Sequence, residues 1–231
     1  MTTRQPIVAA ITGAGSGIGR AVALELAGKG VRLALSDVDE ASLDTTRVRA
    51  EARGAETRTR VVDVADRASV AAWAQDTVGH FGVVNQLYNI AGVAGGGRRL
   101  VDVTYEDIER VLDINLWGVI HGTKEFLPHL IASCKGTLVN VSSLNGFLAQ
   151  PSLAPYCASK FAVRTRFYNE KLFRTTAEQA ARTIVDGVAA GQARILVGSD
   201  AKQVDAIVRL APARAIRRAV SFERLMTQRR G

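Results

Sequence analysis

Apolar residues alternate between two rhythms along this chain. Short, nearly continuous runs rich in valine, isoleucine and leucine occur at PIVAAIT (6–12), VRLALSD (31–37), TRVVDV (59–64), NQLYNI (85–90), TLVNVSS (137–143) and ARILVG (193–198). Between them, in 18–29, 40–53, 66–79 and 105–133, apolar positions recur at close to 3.6-residue spacing. The runs read as buried strands and the periodic stretches as helices with one apolar face. Strands apolar on both faces and alternating with helices predict a parallel sheet covered on each side, a three-layer α/β/α arrangement. Right-handed crossovers make a doubly wound sheet the expected topology.

Composition changes this picture little. A chain of 231 residues, 47% hydrophobic and 23% charged, suits a single domain over 1–231 with one core. No apolar run approaches the roughly 18 residues of a membrane span. The start, MTTRQPIVAAITGAG, breaks at glycines where a signal peptide would continue. A cytoplasmic protein is expected, without membrane attachment. Cys134 and Cys157 read as reduced thiols. His80, His121 and His129 show no metal-ligand spacing, so no metal is expected.

Charge is unevenly spread. Residues 1–163 hold 16 basic and 16 acidic side chains, and residues 164–231 hold 14 and 6, so the whole excess of +8 lies in the tail. A basic amphipathic segment, RLAPARAIRRAVSFERLMTQRRG (209–231), raises nucleic acid or an anionic membrane as partners. Its charges lack interleaved aromatics, and a solvated helical face is the preferred reading.

The first strand runs into Thr12-Gly13-Ala14-Gly15-Ser16-Gly17-Ile18-Gly19 and then into a helix. Glycines there permit a tight turn and let backbone N–H groups approach a pyrophosphate at the helix N-terminus. Asp37 ends the second strand, 24 residues after Gly13, where a carboxylate can accept both ribose hydroxyls of a dinucleotide. This makes the sheet Rossmann-like. Asp37 also favours NAD over NADP, because it would repel a 2′-phosphate, and Val38 and Asp39 supply no arginine to reverse that.

The order of these motifs resembles the short-chain dehydrogenase/reductase family over about residues 6–164. Thr12, Gly13, Gly17 and Gly19 match its Thr-Gly-x-x-x-Gly-x-Gly loop, and Tyr156 and Lys160 match its Tyr-x-x-x-Lys motif. The resemblance assigns a catalytic serine to Ser143, 13 residues before Tyr156, with Ser142 the alternative, and a catalytic asparagine to Asn115. Asn89-Ile90-Ala91-Gly92 corresponds to the family's Asn-Asn-Ala-Gly, with Ile90 replacing the second Asn. Asp63 and Val64 take the position that contacts adenine. The implied cofactor site is thus Gly13, Gly15, Ser16, Gly17, Ile18, Gly19, Asp37, Asp63, Val64, Asn89, Ala91 and Gly92, with Tyr156 and Lys160. The resemblance further implies an apolar secondary alcohol or ketone as substrate, and a homo-oligomer, dimer or tetramer, built on helices matching 105–133 and 156–174. It divides the domain into a cofactor half (1–92), a catalytic half (93–174) and a C-terminal segment (175–231).

The chemistry can be argued beside the resemblance. Residues four apart on a helix share a face, so Tyr156 and Lys160 can point into one site. A tyrosine with a pKa near 10 is a poor base at neutral pH. Lowering that value by ~2–3 units needs roughly 3–4 kcal/mol, and an ammonium at ~4 Å in an effective dielectric near 20 supplies about 4 kcal/mol before desolvation. By the resemblance, Ser143 would hold the substrate oxygen and Asn115 a proton-relaying water.

Beyond Lys160 the pattern breaks. A family member would return through a sixth strand and a mobile substrate loop, but residues 161–192 contain no β-branched run of strand length. FAVRTRFYNEKLF instead runs into TTAEQAARTIVDGVAAG, a helix with a capping pattern at Thr175 and Glu178 and an end at Gly191. A βα unit of ~30 residues is missing. Either it is deleted, or the working polypeptide carries a lid that this sequence lacks. The second is favoured, because deletion would leave ARILVG without a neighbouring strand. A cofactor-binding protein impaired in catalysis is the alternative to an active dehydrogenase.

Overall fold

The computed structural model describes residues 7–95, 97–163, 176–192, 195–197 and 205–206. Among them are five strands: β1 (Val8–Thr12), β2 (Arg32–Asp37), β3 (Thr57–Val61), β4 (Gln86–Asn89) and β5 (Thr137–Asn140). All pair in parallel in the order β3-β2-β1-β4-β5. Every residue of β1 is buried, as a central strand covered on both faces requires. Its side chains alternate. Ala9 and Ile11 pack with helices α1 (Gly17–Ala27), α2 (Glu40–Glu51) and α7 (Ala177–Ala189). Val8 and Ala10 face the other way, toward α3 (Arg67–Phe81) and α5 (Gly118–Ala132), where Trp73 and Phe126 meet edge to face at 4.8 Å.

Local chemistry sets the helix limits. Asp39, Asp66 and Thr104 cap α2, α3 and α4 (Tyr105–Leu112) by accepting backbone N–H bonds. Gly82, in the left-handed region at φ 74°, ends α3. Pro155 lies in the first turn of α6 (Ala154–Ala162), where its missing N–H costs nothing.

The doubly wound parallel sheet agrees with the sequence pattern, and five details differ. The stretch 105–133 is two α-helices joined by a π-helical turn, Asp113–Trp117. β3 begins and ends earlier than TRVVDV, so Val62, Asp63 and Val64 lie beyond it. Helix α7 is capped one residue later than expected: Thr176 and Gln179 form a reciprocal capping box. Trp117, which reads in the sequence as a packing residue, is 50% exposed and stacks on His121. The sixth predicted strand is not formed at its described residues, since 195–197 carry no ladder pairing, yet Ile195 and Val197 are buried against α1 and α7. Parts of the expected 156–174 helix (164–174) and the basic tail 209–231 lie outside the described residues.

β5 is the edge of the described sheet, and Ile195 and Val197 contribute their side chains to the core. Gly187 on α7 makes room, since a Cβ there would stand 2.6 Å from Ile195. Replacing Ile195 by Ala is expected to cost about 2–4 kcal/mol in urea denaturation; a change near zero would show that the segment does not pack on α7.

Candidate active site

In a parallel sheet of this order the crevice opens where β1 has neighbours running to either side, at the strands' C-terminal ends. One cavity of about 650 Å³ lies there. The turn after β1, the end of β2, the segment after β3, the segment after β4, the tip of β5 and helix α6 all contribute to its wall. Thr12, at the end of β1, is buried, and its hydroxyl accepts the N–H groups of Ile90 at 3.0 Å and Ala91 at 3.1 Å. This ties the glycine turn to the segment following β4.

The glycines have separate structural reasons. Gly13, at φ 68°, lies so close to Ala91 that a Cβ would stand 2.8 Å from its Cα, and a Cβ on Gly19 would stand 1.9 Å from the Gly13 carbonyl oxygen. Gly17, at φ 50°, has open space where a side chain would stand. The Asp37 carboxylate accepts Gly15 N–H at 2.8 Å and Asp39 N–H at 3.1 Å, which fastens the turn to the end of β2.

On α6, Tyr156 and Lys160 both line the cavity, with the ammonium 5.8 Å from the centroid of the Tyr156 ring. Lys160 is 4% exposed and donates to the Val141 carbonyl at 3.1 Å. Gly92 keeps the space beside it open: a Cβ there would stand 3.1 Å from Asn115 Oδ1 and 3.3 Å from Lys160 Nζ.

Of the residues expected from the sequence, Gly13, Ser16, Gly17, Ile18, Gly19, Asp37, Asp63, Val64, Ala91, Gly92, Tyr156 and Lys160 share this wall. Four others stand behind or beside it. Gly15 faces Asp37. Asn89 is buried in β4 and donates to Asn140 at 2.8 Å. Asn115, in the π turn, is fully buried, with its amide accepting Val93 N–H and donating to Val93 C=O, each at 2.8 Å, and donating to Ser159 at 3.1 Å. Its side chain is therefore fixed by protein groups. Ser143 starts the 3₁₀ turn after β5 and accepts Asn145 N–H at 3.2 Å, which leaves its own O–H to donate. Ser142 lines the cavity, but its hydroxyl is spent on the Lys160 carbonyl at 2.8 Å.

Sequence reasoning passed over Ser159, which donates to the Tyr156 carbonyl at 2.7 Å. Its place inside the Tyr-x-x-x-Lys stretch was the available signal. It also passed over Arg110 and Ile114, which reach the wall from α4 and the π turn. Burial pushes the Cys157 thiol above its ordinary pKa, which makes it a packing group. Among the described residues no group of three His, Cys, Asp or Glu side chains is placed to hold a metal, and no helix is long and apolar enough to cross a membrane.

Residues 7–203 match the family model described as short chain dehydrogenase. This chain belongs to the short-chain dehydrogenase family. Oxidoreductase chemistry is the activity class of that family. A Mycobacterium tuberculosis protein named as the oxidoreductase SadH is 42% identical over 257 aligned positions, covering 91% of this chain and 92% of that protein. Levodione reductase of Leifsonia aquatica is 35% identical over 158 residues, 68% of this chain and 59% of the reductase. A solved short-chain dehydrogenase/reductase from Burkholderia phymatum in complex with NAD superposes with a TM-score of 0.80 at 29% identity, covering 91% of this chain and 94% of the other. In the alignment with SadH, 91% of 231 residues is about 210, so about 47 of its 257 positions face gaps in this chain.

The short-chain dehydrogenase signature thus surrounds a polar clamp in which Ser159 holds the start of α6 to the π turn. Ser159→Ala would orphan a buried Asn115 N–H, and a loss of about 1–3 kcal/mol is expected in chemical denaturation.

Proposed function

We propose that this chain is an NAD(H)-dependent oxidoreductase that interconverts a secondary alcohol and a ketone, with Tyr156 as general acid and base. The observation that carries this reading is a single cavity lined by the glycine turn, Asp37, Tyr156 and Lys160 together. The residues present suit a dinucleotide: Gly17 leaves the wall open where a side chain would intrude, and Asp37 offers a carboxylate to ribose hydroxyls and repels a 2′-phosphate. When bound, the nicotinamide supplies or accepts the hydride.

Every other role falls to the chain itself. Tyr156 gives a proton to the substrate oxygen in reduction and takes it in oxidation. Lys160 is anchored by the Val141 carbonyl, and its charge lowers the cost of the phenolate. Ser143 donates its hydroxyl to the substrate oxygen. Asn115 acts by position, holding Val93 in the wall and, through Ser159, the first turn of α6. Asp63 and Val64 flank the adenine, while Ala91 and Gly92 keep the cofactor path clear. The walls contributed by Val93, Ala94, Ile114 and Val141 favour an apolar substrate.

Tyr156→Phe is expected to lower turnover at least about 10³-fold while leaving NADH binding by fluorescence within about twofold; equal turnover in the variant would refute the assignment. The unmodified protein is expected to use NAD(H) in preference to NADP(H), measured as the ratio of kcat/KM. A competing reading, NAD binding without turnover, draws on β5 standing at the sheet edge where a substrate-loop unit would follow. NADH-linked assay over a broad panel of alcohols and ketones separates the two, since binding with no turnover on any of them supports the second.

A homo-oligomer in the cytoplasm completes the proposal. The outer surfaces of α4, the π turn and α5 expose Tyr105 (81%), Trp117 (50%) and Ile131 (69%), an apolar area suited to a second copy. Ile131→Glu is expected to shift the sedimentation coefficient toward that of a monomer.

A further inference from the structure

A second cavity, of about 540 Å³, runs along the outward side of α1, between α2 and α7. Its lining is strongly basic. Arg49 reaches it from α2, Arg53 from the turn after α2, Arg182 from α7, and Arg20 and Lys29 from α1 and its end; Glu25 and Glu178 are the acidic groups that oppose them.

Five arginines elsewhere on the surface are paired. Arg47, Arg58, Arg67, Arg98 and Arg99 each hold a carboxylate. Around the groove, Lys29 is held by Asp186 at 2.7 Å and lies 3.5 Å from Glu25. Arg20 is spent on the Gly15 and Ser42 carbonyls and on Thr46. Arg49, Arg53 and Arg182 make no ion pair or hydrogen bond among the described residues. The charge of Arg182 contributes to holding Glu178 below the ordinary carboxylate range without making an ion pair with it. Three guanidiniums thus stand unspent around one concave site.

We infer that this groove is a binding site for a small polyphosphate anion, a ligand carrying adjacent phosphoryl groups. Arg49 lies in the last turn of α2 and Arg53 in the turn that follows it, so both line the groove from that side, and each can take one phosphoryl group through a two-point guanidinium fork. Arg182 approaches from the opposite wall, so the ligand is gripped from both sides. Arg20, held in place by backbone carbonyls, adds fixed positive charge to the floor. A carboxylate ligand of the same size would satisfy fewer of these donors, because a phosphoryl group presents more acceptor oxygens. The site is separate from the cavity containing Tyr156, although Gly17 borders both. The inference does not depend on the proposed reaction.

The test is titration calorimetry of inorganic pyrophosphate into the full chain at 0.15 M NaCl, with and without saturating NADH. One pyrophosphate per chain is expected in both conditions. Arg49→Gln combined with Arg182→Gln should weaken it at least about tenfold, and Arg49→Lys should weaken it several-fold, because the lysine keeps the charge and loses the fork. Turnover and NADH binding should be unchanged in these variants, and circular dichroism melting confirms that they fold. Absence of saturable heat would overturn the inference, as would equal affinity in the double variant. Binding abolished by NADH but indifferent to the arginine substitutions would place the pyrophosphate on the glycine turn and would likewise overturn it.

Discussion

The site rests on a buried polar clamp with Asn115 at its centre. The side chain is fully buried in the π turn, and both ends of its amide are spent on the backbone of Val93, with Ser159 taking the remaining N–H. An unpaired amide at such a place would cost several kcal/mol in an apolar setting, so the arrangement holds only if all its members are present. Through it, the segment after β4, the π turn and α6 become one body. Lys160 then projects into a space that Gly92 leaves free, and its distance from the Tyr156 ring is set by the helix that both share. The π turn is part of this construction, since the local widening of the helix carries Asn115 inward at the point where α4 gives way to α5.

The opposite side of the sheet shows how a fold absorbs a loss. About 47 positions of a close relative have no counterpart here, yet the described sheet keeps its five-strand order. α7 packs on α1 through Ala180, Ala181, Ile184 and Val185, and Ile195 and Val197 join the same core. Ile195 and Val197 are held by side-chain burial without ladder pairing at 195–197. Burial is non-directional, whereas a ladder needs a neighbouring strand in register. The crevice is assembled from the ends of β1 to β5 and from α6.

Much of this was legible in the chain. Continuous apolar runs identified β1, β2 and β4 within a residue or two and β5 within three, because strands covered on both faces leave little room for polar residues. The glycine turn and the Tyr156–Lys160 spacing announced their cavity for a similar reason: backbone approach and helix geometry both act over a few residues. The failures involved longer reach. TRTRV at β3 is an edge strand with four of its five residues polar, so its apolar signal lay beyond the strand. ARILVG has the composition of a strand, but no sequence window shows whether a partner exists for it. Trp117 read as a packing residue, and it stands half exposed at the end of the π turn. The clamp through Ser159 depends on a contact 44 residues apart, which no local pattern encodes.

The hydrogen bond from Gly15 N–H to the Asp37 carboxylate has a consequence for how this lineage can change. On the proposed reading one side chain both closes the turn around a glycine and faces the ribose, so an exchange at position 37 that removed every acceptor oxygen would change nucleotide recognition and orphan a backbone donor in the turn together. Asparagine, which keeps one acceptor and drops the charge, is the single substitution that separates the two roles.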